Sequence, residues 1–155
     1  MVYAVCPTDV VSAPVEIVWR LLTTPAGWGD FFDAEVLRVE PPGPAAVGQH
    51  VDLRSGPGIA KFRLQFDFVL VDAAQHVLGI EIRLPFGIVN HERLSCAPLG
   101  PETCRVSYGC NFEFPRGWLG WLLLTVLRRE IEAGPVDSLA RLKRTAEARW
   151  SATRA

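Results

Sequence analysis

Three segments of the chain alternate between apolar and polar side chains. In residues 62–70, 78–84 and 106–114, every second side chain is apolar, and most of those between are charged or polar. The apolar set is Phe62, Leu64, Phe66, Phe68, Leu70, Leu78, Ile80, Ile82, Leu84, Val106, Tyr108, Cys110, Phe112 and Phe114. A period of two is typical of a β-strand with one buried face. The pattern predicts an antiparallel sheet with one apolar and one solvated face.

The remaining predicted elements follow from turn residues and helical spacing. Strands are predicted over residues 2–11, 35–40, 49–55, 60–71, 75–84, 88–97 and 103–114. Short turns, many rich in Pro and Gly, separate consecutive strands, which favours antiparallel pairing. A helix is predicted to start after Ser12 as N-cap, with Pro14 in its first turn, and to end near Thr23. A second short helical turn is predicted over residues 26–32.

A long helix is predicted from Trp118 to Trp150. Its first half, residues 118–127, is apolar on nearly all sides, and its second half is amphipathic. Pro135 is expected to kink or break it, because proline cannot donate a hydrogen bond to the carbonyl of Ile131. We expect the first half to pack inside the sheet. A membrane-touching or dimer-forming surface is the alternative, and the lack of a basic cluster before Arg128 weakens its membrane version.

Five stretches of sequence carry a resemblance to a known superfamily. They are Ser-Ala-Pro-Val-Glu-Ile-Val-Trp at 12–19, Gly48, Pro-Phe-Gly-Ile-Val-Asn-His-Glu at 85–92, Thr-Cys-Arg-Val at 103–106 and Leu-Ala-Arg-Leu-Lys at 139–143. With the order of predicted elements, they resemble the helix-grip (START/SRPBCC) superfamily, which includes lipid-transfer domains and polyketide cyclase/dehydrase-like proteins. The resemblance implies one α+β domain over residues 1–155. It has two short helices after the first strand and a seven-stranded curved antiparallel sheet wrapped around a long C-terminal helix. It also implies a ligand cavity, more strongly than a reaction.

Composition and charge exclude several classes of function. The chain has 155 residues, 49% hydrophobic and 21% charged, which is typical of one packed domain. With 16 basic and 17 acidic residues, it lacks the excess positive charge of a nucleic-acid-binding protein. No apolar run of transmembrane length and no signal-like N-terminus are present, so we expect a cytoplasmic protein without stable membrane insertion.

Cysteine and histidine spacing predicts neither a metal site nor a cofactor. No pair of these residues has the spacing of zinc ligands, and no glycine-rich phosphate loop follows a strand. Cys96 and Cys104 flank the turn at 98–101, so they could face each other across a hairpin. A disulfide there and two reduced thiols are the alternatives, and a cytoplasmic location favours the thiols.

Strand parity predicts that Asn90 and Glu92 point toward the apolar interior. A buried carboxylate must be paired, hydrogen-bonded or protonated, so Glu92 is a candidate general acid/base or ligand-orienting group. A cavity arginine or water as its partner, or a bulge that turns it outward, is the alternative. Tyr108 is the second candidate catalytic residue, against a core tyrosine with a satisfied hydroxyl. Thr125 either reaches the cavity or bonds its own helix.

The cavity is expected to bind a small hydrophobic molecule, lipid- or polyketide-like. The candidate ligand-binding residues are Phe62, Phe66, Ile80, Ile82, Asn90, Phe112, Trp121 and Thr125. Loops 55–58 and 84–87 are gates over the cavity or simple turns. The alternative function is a polyketide cyclase/aromatase-like enzyme that uses Glu92 and Tyr108. A third is an interaction module with a filled core. A homodimer is compatible with all three.

Overall fold

The computed structural model describes residues 1–55 and 61–155. Within them the strands are β1 (Val2–Val5), β2 (Thr8–Val11), β3 (Ala34–Glu40), β4 (His50–Ser55), β5 (Phe62–Asp72), β6 (Val77–Arg83), β7 (Val89–Gly100) and β8 (Thr103–Glu113). The α-helices are α1 (Val15–Leu22) and α2 (Trp118–Arg154), and 3-10 helices span Pro25–Asp30 and Pro85–Gly87.

The strands form one antiparallel sheet, in the order β1-β8-β7-β6-β5-β4-β3, with β2 also paired to β8. This α+β arrangement, with α2 packed on the sheet, confirms the predicted helix-grip fold. The predicted first strand is divided in two, because Cys6 and Pro7 interrupt its pairing with β8. Proline has no N–H to continue a ladder, although the Pro7 carbonyl accepts a hydrogen bond from the Tyr108 N–H at 2.9 Å.

The predicted alternation is confirmed in β6 and β8, whose apolar faces are buried. In β5 it holds only as far as Phe68. A bulge at Val69 follows, since Phe68 pairs with Ile80 whereas Leu70 pairs with Gly79. The extra residue shifts the strand's parity, so Leu70 is exposed and Val71 packs against the core instead.

Helix α1 begins at a different residue from the predicted one. Pro14 occupies the N-cap position, and no side chain caps the helix. The backbone N–H of Ser12 donates instead to Glu147 Oε1 of α2 at 2.9 Å. Ser12 is therefore not the N-cap, because it lies two residues before that position, and its N–H links the end of β2 to the long helix.

Helix α2 runs unbroken through Gly134 and Pro135, so of the predicted kink or break the break is wrong. It packs against α1 and the β1, β2 and β8 side of the sheet. The expectation that its whole first half packs inside the sheet is also wrong. Trp118, Trp121 and Val126 are 77%, 64% and 67% exposed. Only one side of a helix can face the sheet, and Gly120 and Ile131 lie on that side.

Gly120 marks a close approach of α2 to the preceding chain. A Cβ added there would lie 1.9 Å from the carbonyl oxygen of Pro115, whereas one added at Gly134 would have nothing within 4 Å. Because the clash is with backbone, Gly120→Ala should lower the free energy of unfolding by about 1–3 kcal/mol. Helix propensity alone would raise it by about 1 kcal/mol.

Urea unfolding of Gly120→Ala, beside Gly134→Ala as the control in the same helix, measures this difference. Gly134→Ala should change stability by no more than about 1 kcal/mol, since its propensity gain is opposed by the proline that follows. Stabilisation by Gly120→Ala would show that the close approach is wrong.

The hairpin between β7 and β8 turns later than predicted. Gly100 pairs with Thr103, so the turn lies at 101–102. Cys96 is therefore opposite Val106, and Cys104 is opposite Pro98. The two cysteines do not face each other directly, and both are buried free thiols.

Candidate functional site

A cavity of about 390 Å³ lies between α2 and the inner face of strands β4–β8. It exists because α2 packs on the β1, β2 and β8 side and leaves β4–β6 less covered. Its lining is mostly apolar and comes from five strands, the 84–88 loop and α2. The lining residues are Ser55, Phe62, Leu64, Phe66, Ile82, Leu84, Pro85, Phe86, Ile88, Asn90, Glu92, Tyr108, Phe112, Leu127, Glu130, Ile131, Gly134 and Pro135.

A second cavity of about 360 Å³ adjoins the first. The two share part of their walls, including Leu64, Phe66 and Tyr108. The second opens toward Asp33 and Arg141, whose charged groups lie 3.6 Å apart. The apolar interior therefore continues toward a charged rim between β3 and α2.

The structure brings most of the predicted site residues together. Phe62, Phe66, Ile82, Asn90, Glu92, Tyr108 and Phe112 all line the cavity. Phe62 is 43% exposed, so it stands near an opening and not in the interior.

Three predicted ligand-binding residues lie outside the cavity lining. Ile80 points inward but is 1% exposed and packed in the filled part of the core. Trp121 lies on the exposed face of α2. The Thr125 hydroxyl, also exposed, donates to the Trp121 carbonyl at 2.8 Å, which satisfies it within its own helix.

Helix α2 instead contributes Leu127, Glu130, Ile131 and Pro135, which sequence reasoning missed. Leu127 and Ile131 are four residues apart, and this spacing is the signal that could have identified them.

Glu92 is the centre of a buried polar cluster. The Asn90 Nδ2 donates to Glu92 Oε1 at 2.9 Å, and the Tyr108 hydroxyl donates to Oε2 at 2.9 Å. The Cys110 thiol makes a longer contact of 3.9 Å with Oε1. Strand register explains the cluster, since Glu92 pairs with Cys110 and Leu94 pairs with Tyr108 across β7 and β8. Alternate residues of both strands therefore meet on the inner face.

Burial decides the protonation of this cluster. It raises the pKa of Glu92 to about 7, although the hydrogen bonds from Tyr108, Asn90 and Cys110 act in the opposite direction. Burial and the neighbouring Glu92 charge hold the pKa of Tyr108 well above its ordinary value. Near neutral pH, both the protonated and the ionised forms of Glu92 are therefore populated, while Tyr108 stays protonated.

Asn90 has one polar atom without a partner. Its side chain is 3% exposed and lines the cavity, and its Oδ1 has no hydrogen-bond donor among the residues that the structure describes. Buried polar atoms usually have a partner. This oxygen is therefore a free acceptor at the polar end of the cavity.

Of the two loops predicted as gates, 55–58 and 84–87, the structure fully describes only the second. Residues 56–58 of the first lie outside the described residues. The second contains the 3-10 turn Pro85–Gly87, where Phe86 is 68% exposed and adopts a φ of 65°. This φ is unfavourable for a residue with a side chain. It directs Phe86 to the edge of the cavity.

No group of three or more His, Cys, Asp or Glu side chains within residues 1–55 and 61–155 is arranged to hold a metal ion. None of the helices in these ranges has the length and hydropathy needed to cross a bilayer.

One known protein family matches nearly the whole chain. Residues 7–147 match the family described as "Polyketide cyclase / dehydrase and lipid transport". The chain belongs to this family. No curated protein sequence matches it significantly.

Many solved structures share the fold of this polyketide cyclase/dehydrase family member. The Zhui aromatase/cyclase from Streptomyces sp. R1128 matches with a TM-score of 0.73 and 20% identity, over 96% of each chain. Norcoclaurine synthase from Thalictrum flavum, in complex with dopamine and hydroxybenzaldehyde, matches with a TM-score of 0.69 and 16% identity, over 94% of this chain and 86% of that one. A conserved protein from Geobacillus kaustophilus matches with a TM-score of 0.71 and 13% identity, over 93% of this chain and 95% of that one. At these identities the likeness establishes the helix-grip fold.

Proposed function

We propose that this protein binds a small hydrophobic molecule, lipid- or polyketide-like, in the cavity between the sheet and α2. The observation that carries the proposal is the cavity of about 390 Å³, with apolar walls and one polar cluster around Glu92. Small-molecule sites commonly combine an apolar wall with few polar groups that orient the ligand. The family description, which includes lipid transport, supports the same class of ligand.

Native mass spectrometry of the purified protein tests whether it retains a small molecule. A quantitative test uses the apolar dye Nile red and a pair of adjacent substitutions in α2. Leu127 lines the cavity, whereas Val126 is 67% exposed. Leu127→Trp, which fills the cavity, should weaken dye binding by about tenfold or more. Val126→Trp should leave it unchanged. Equal affinities in the two variants, or no dye binding by the wild type, would exclude the cavity as the binding site.

A second candidate function is that of a polyketide cyclase/aromatase-like enzyme. It is favoured by one observation, a buried carboxyl group with a pKa of about 7 hydrogen-bonded to Tyr108 inside an apolar cavity. A carboxylate in such a site can take a proton from carbon next to a substrate carbonyl, and the resulting acid can return it to oxygen. Asn90 and Tyr108 hold Glu92 in place for this exchange.

Glu92→Gln separates the two functions, because it keeps the shape of the side chain and removes its titration. If the protein is an enzyme, turnover of its substrate should be lost while ligand affinity stays within a few-fold, about 1 kcal/mol. If it only binds, affinity and its pH dependence should change, with no reaction to lose. Unchanged affinity, pH dependence and turnover together would show that Glu92 serves neither function.

A further inference from the structure

The charged side chains that line the cavity are all acidic. Its described lining includes two carboxylates, Glu92 on β7 and Glu130 on α2, and no lysine, arginine or histidine. Glu92 has no ion-pair partner within the described residues. A carboxylate buried in this way lacks the counter-charge that normally offsets its desolvation.

Most polar hydrogens of the cavity wall already have an acceptor. One hydrogen of Asn90 Nδ2 and the hydroxyl hydrogen of Tyr108 are directed to Glu92. The Ser55 hydroxyl donates to the Asp33 carbonyl at 2.7 Å. The buried Asn90 Oδ1 is a free acceptor beside the oxygens of Glu92. The site is therefore complementary to a group that carries several N–H donors and a positive charge.

Resting on the proposed function, we propose that the cavity selects apolar amines in their cationic form. The ammonium group would donate to Glu92 and to Asn90 Oδ1, and the apolar body would lie against Phe66 and Phe112. Aromatic rings also attract cations. Ligands with a carboxylate or phosphate are disfavoured, because no cationic side chain in the described lining of this cavity would meet their charge. Arg141, at the rim of the adjoining cavity, is already paired with Asp33.

Three probes with the same ring system test this selectivity: naphthylethylamine, which is cationic, naphthylethanol, which is neutral, and naphthylacetate, which is anionic. Isothermal titration calorimetry at pH 8, where Glu92 is ionised, measures their affinities for the full chain. The amine should bind tighter than the alcohol by about tenfold or more, and the acetate should bind weaker than the alcohol.

Proton linkage supplies an independent readout. The groups around Glu92 are Asn90 on its own strand and Tyr108 and Cys110 on β8, with Glu130 of α2 in the same wall and no charged side chain at its β6 partner Ile80. Since the amine requires the Glu92 carboxylate, its affinity should fall by about tenfold between pH 8 and pH 5.5. Naphthylethanol affinity should not fall in this way.

Substitutions complete the test. Glu92→Gln should reduce amine affinity to about that of the alcohol, while the alcohol stays within about twofold. Glu113→Gln removes a carboxylate from the outer face of β8, where the side chain is 56% exposed, and should leave all three affinities unchanged.

The possible outcomes separate this inference from the proposed function. Amine and alcohol binding equally, or an amine preference that survives Glu92→Gln, would overturn the inference and leave cavity binding intact. If none of the three probes binds, hydrophobic binding in the cavity is overturned together with the amine selectivity. The probe comparison uses the wild-type protein, so it is informative even if Glu92→Gln does not fold.

Discussion

Trp28→Ala is expected to lower the free energy of unfolding by about 3–5 kcal/mol, the usual cost of removing a fully buried large aromatic side chain. Trp28 is 0% exposed within the 3-10 helix Pro25–Asp30. Its ring centroid lies 5.3–5.9 Å from those of Phe32, Phe66 and Phe68. Phe66 is also a cavity wall. The substitution should therefore weaken both the core and ligand binding.

The Trp28 indole makes a polar contact as well. Its Nε1 donates to the Leu22 carbonyl at the end of α1 at 3.1 Å. Trp28→Phe keeps most of the apolar contacts but leaves that carbonyl without its donor, which should cost about 1–3 kcal/mol. This smaller substitution gives a measurable result if Trp28→Ala does not fold.

Urea unfolding of Trp121→Ala is the matched control. It deletes the same side chain at a position that is 64% exposed, so stability should change by no more than about 0.5 kcal/mol. Losses of similar size at Trp28 and Trp121 would contradict the exposed placement of α2's outer face.

The wild-type protein is expected to lose about 3 kcal/mol of stability at Glu92 as the pH rises from 4.5 to above 7. Burial raises the pKa of Glu92 from an ordinary value of 4.5 to about 7 in the folded protein. Between these values the folded state binds the proton and the unfolded state has released it. The contribution to stability is therefore complete below pH 4.5 and lost as the pH passes through 7.

Glu92→Gln isolates this contribution, because glutamine is neutral at every pH. Urea unfolding of both proteins at pH 5 and pH 8 measures it. The stability of the variant relative to the wild type should increase by about 2–3 kcal/mol over this interval. Parallel pH profiles for the two proteins would mean that Glu92 has the same pKa in the folded and unfolded states.

Local patterns were sufficient for the sheet and for the orientation of its central site residue. The side-chain period of a strand depends only on the backbone, so parity along β7 places Asn90 and Glu92 on the inner face. The same reasoning places Tyr108 and Phe112 on the inner face of β8. It failed at Leu70, because residues 68–71 are all apolar and do not indicate that a bulge at Val69, formed in the pairing with β6, shifts the parity.

The side of α2 that faces the cavity was not predictable in the same way. A helix segment that is apolar on all sides does not indicate which side meets the sheet. In the structure Gly120 lies against the chain at Pro115, Trp121 and Thr125 lie outside the cavity, and Leu127 and Ile131 line it. The interpretation of Trp121 as a ligand contact rested on hydrophobicity alone, which a solvent-facing tryptophan shares with a buried one.

Local sequence was enough to predict the order of the elements, the one-sided sheet and the inward direction of Glu92, since each depends on neighbours within a few residues. Which parts of the interior are empty and which are filled depends instead on how the folded segments pack together. Ile80 and Ile82 are two residues apart on the same face of β6, yet only Ile82 borders the cavity. The unpartnered Asn90 Oδ1 was not predictable either, because whether it has a hydrogen-bond donor depends on which distant segments pack against it. Empty space and unsatisfied polar atoms are properties of contacts between distant segments, so no local pattern records them.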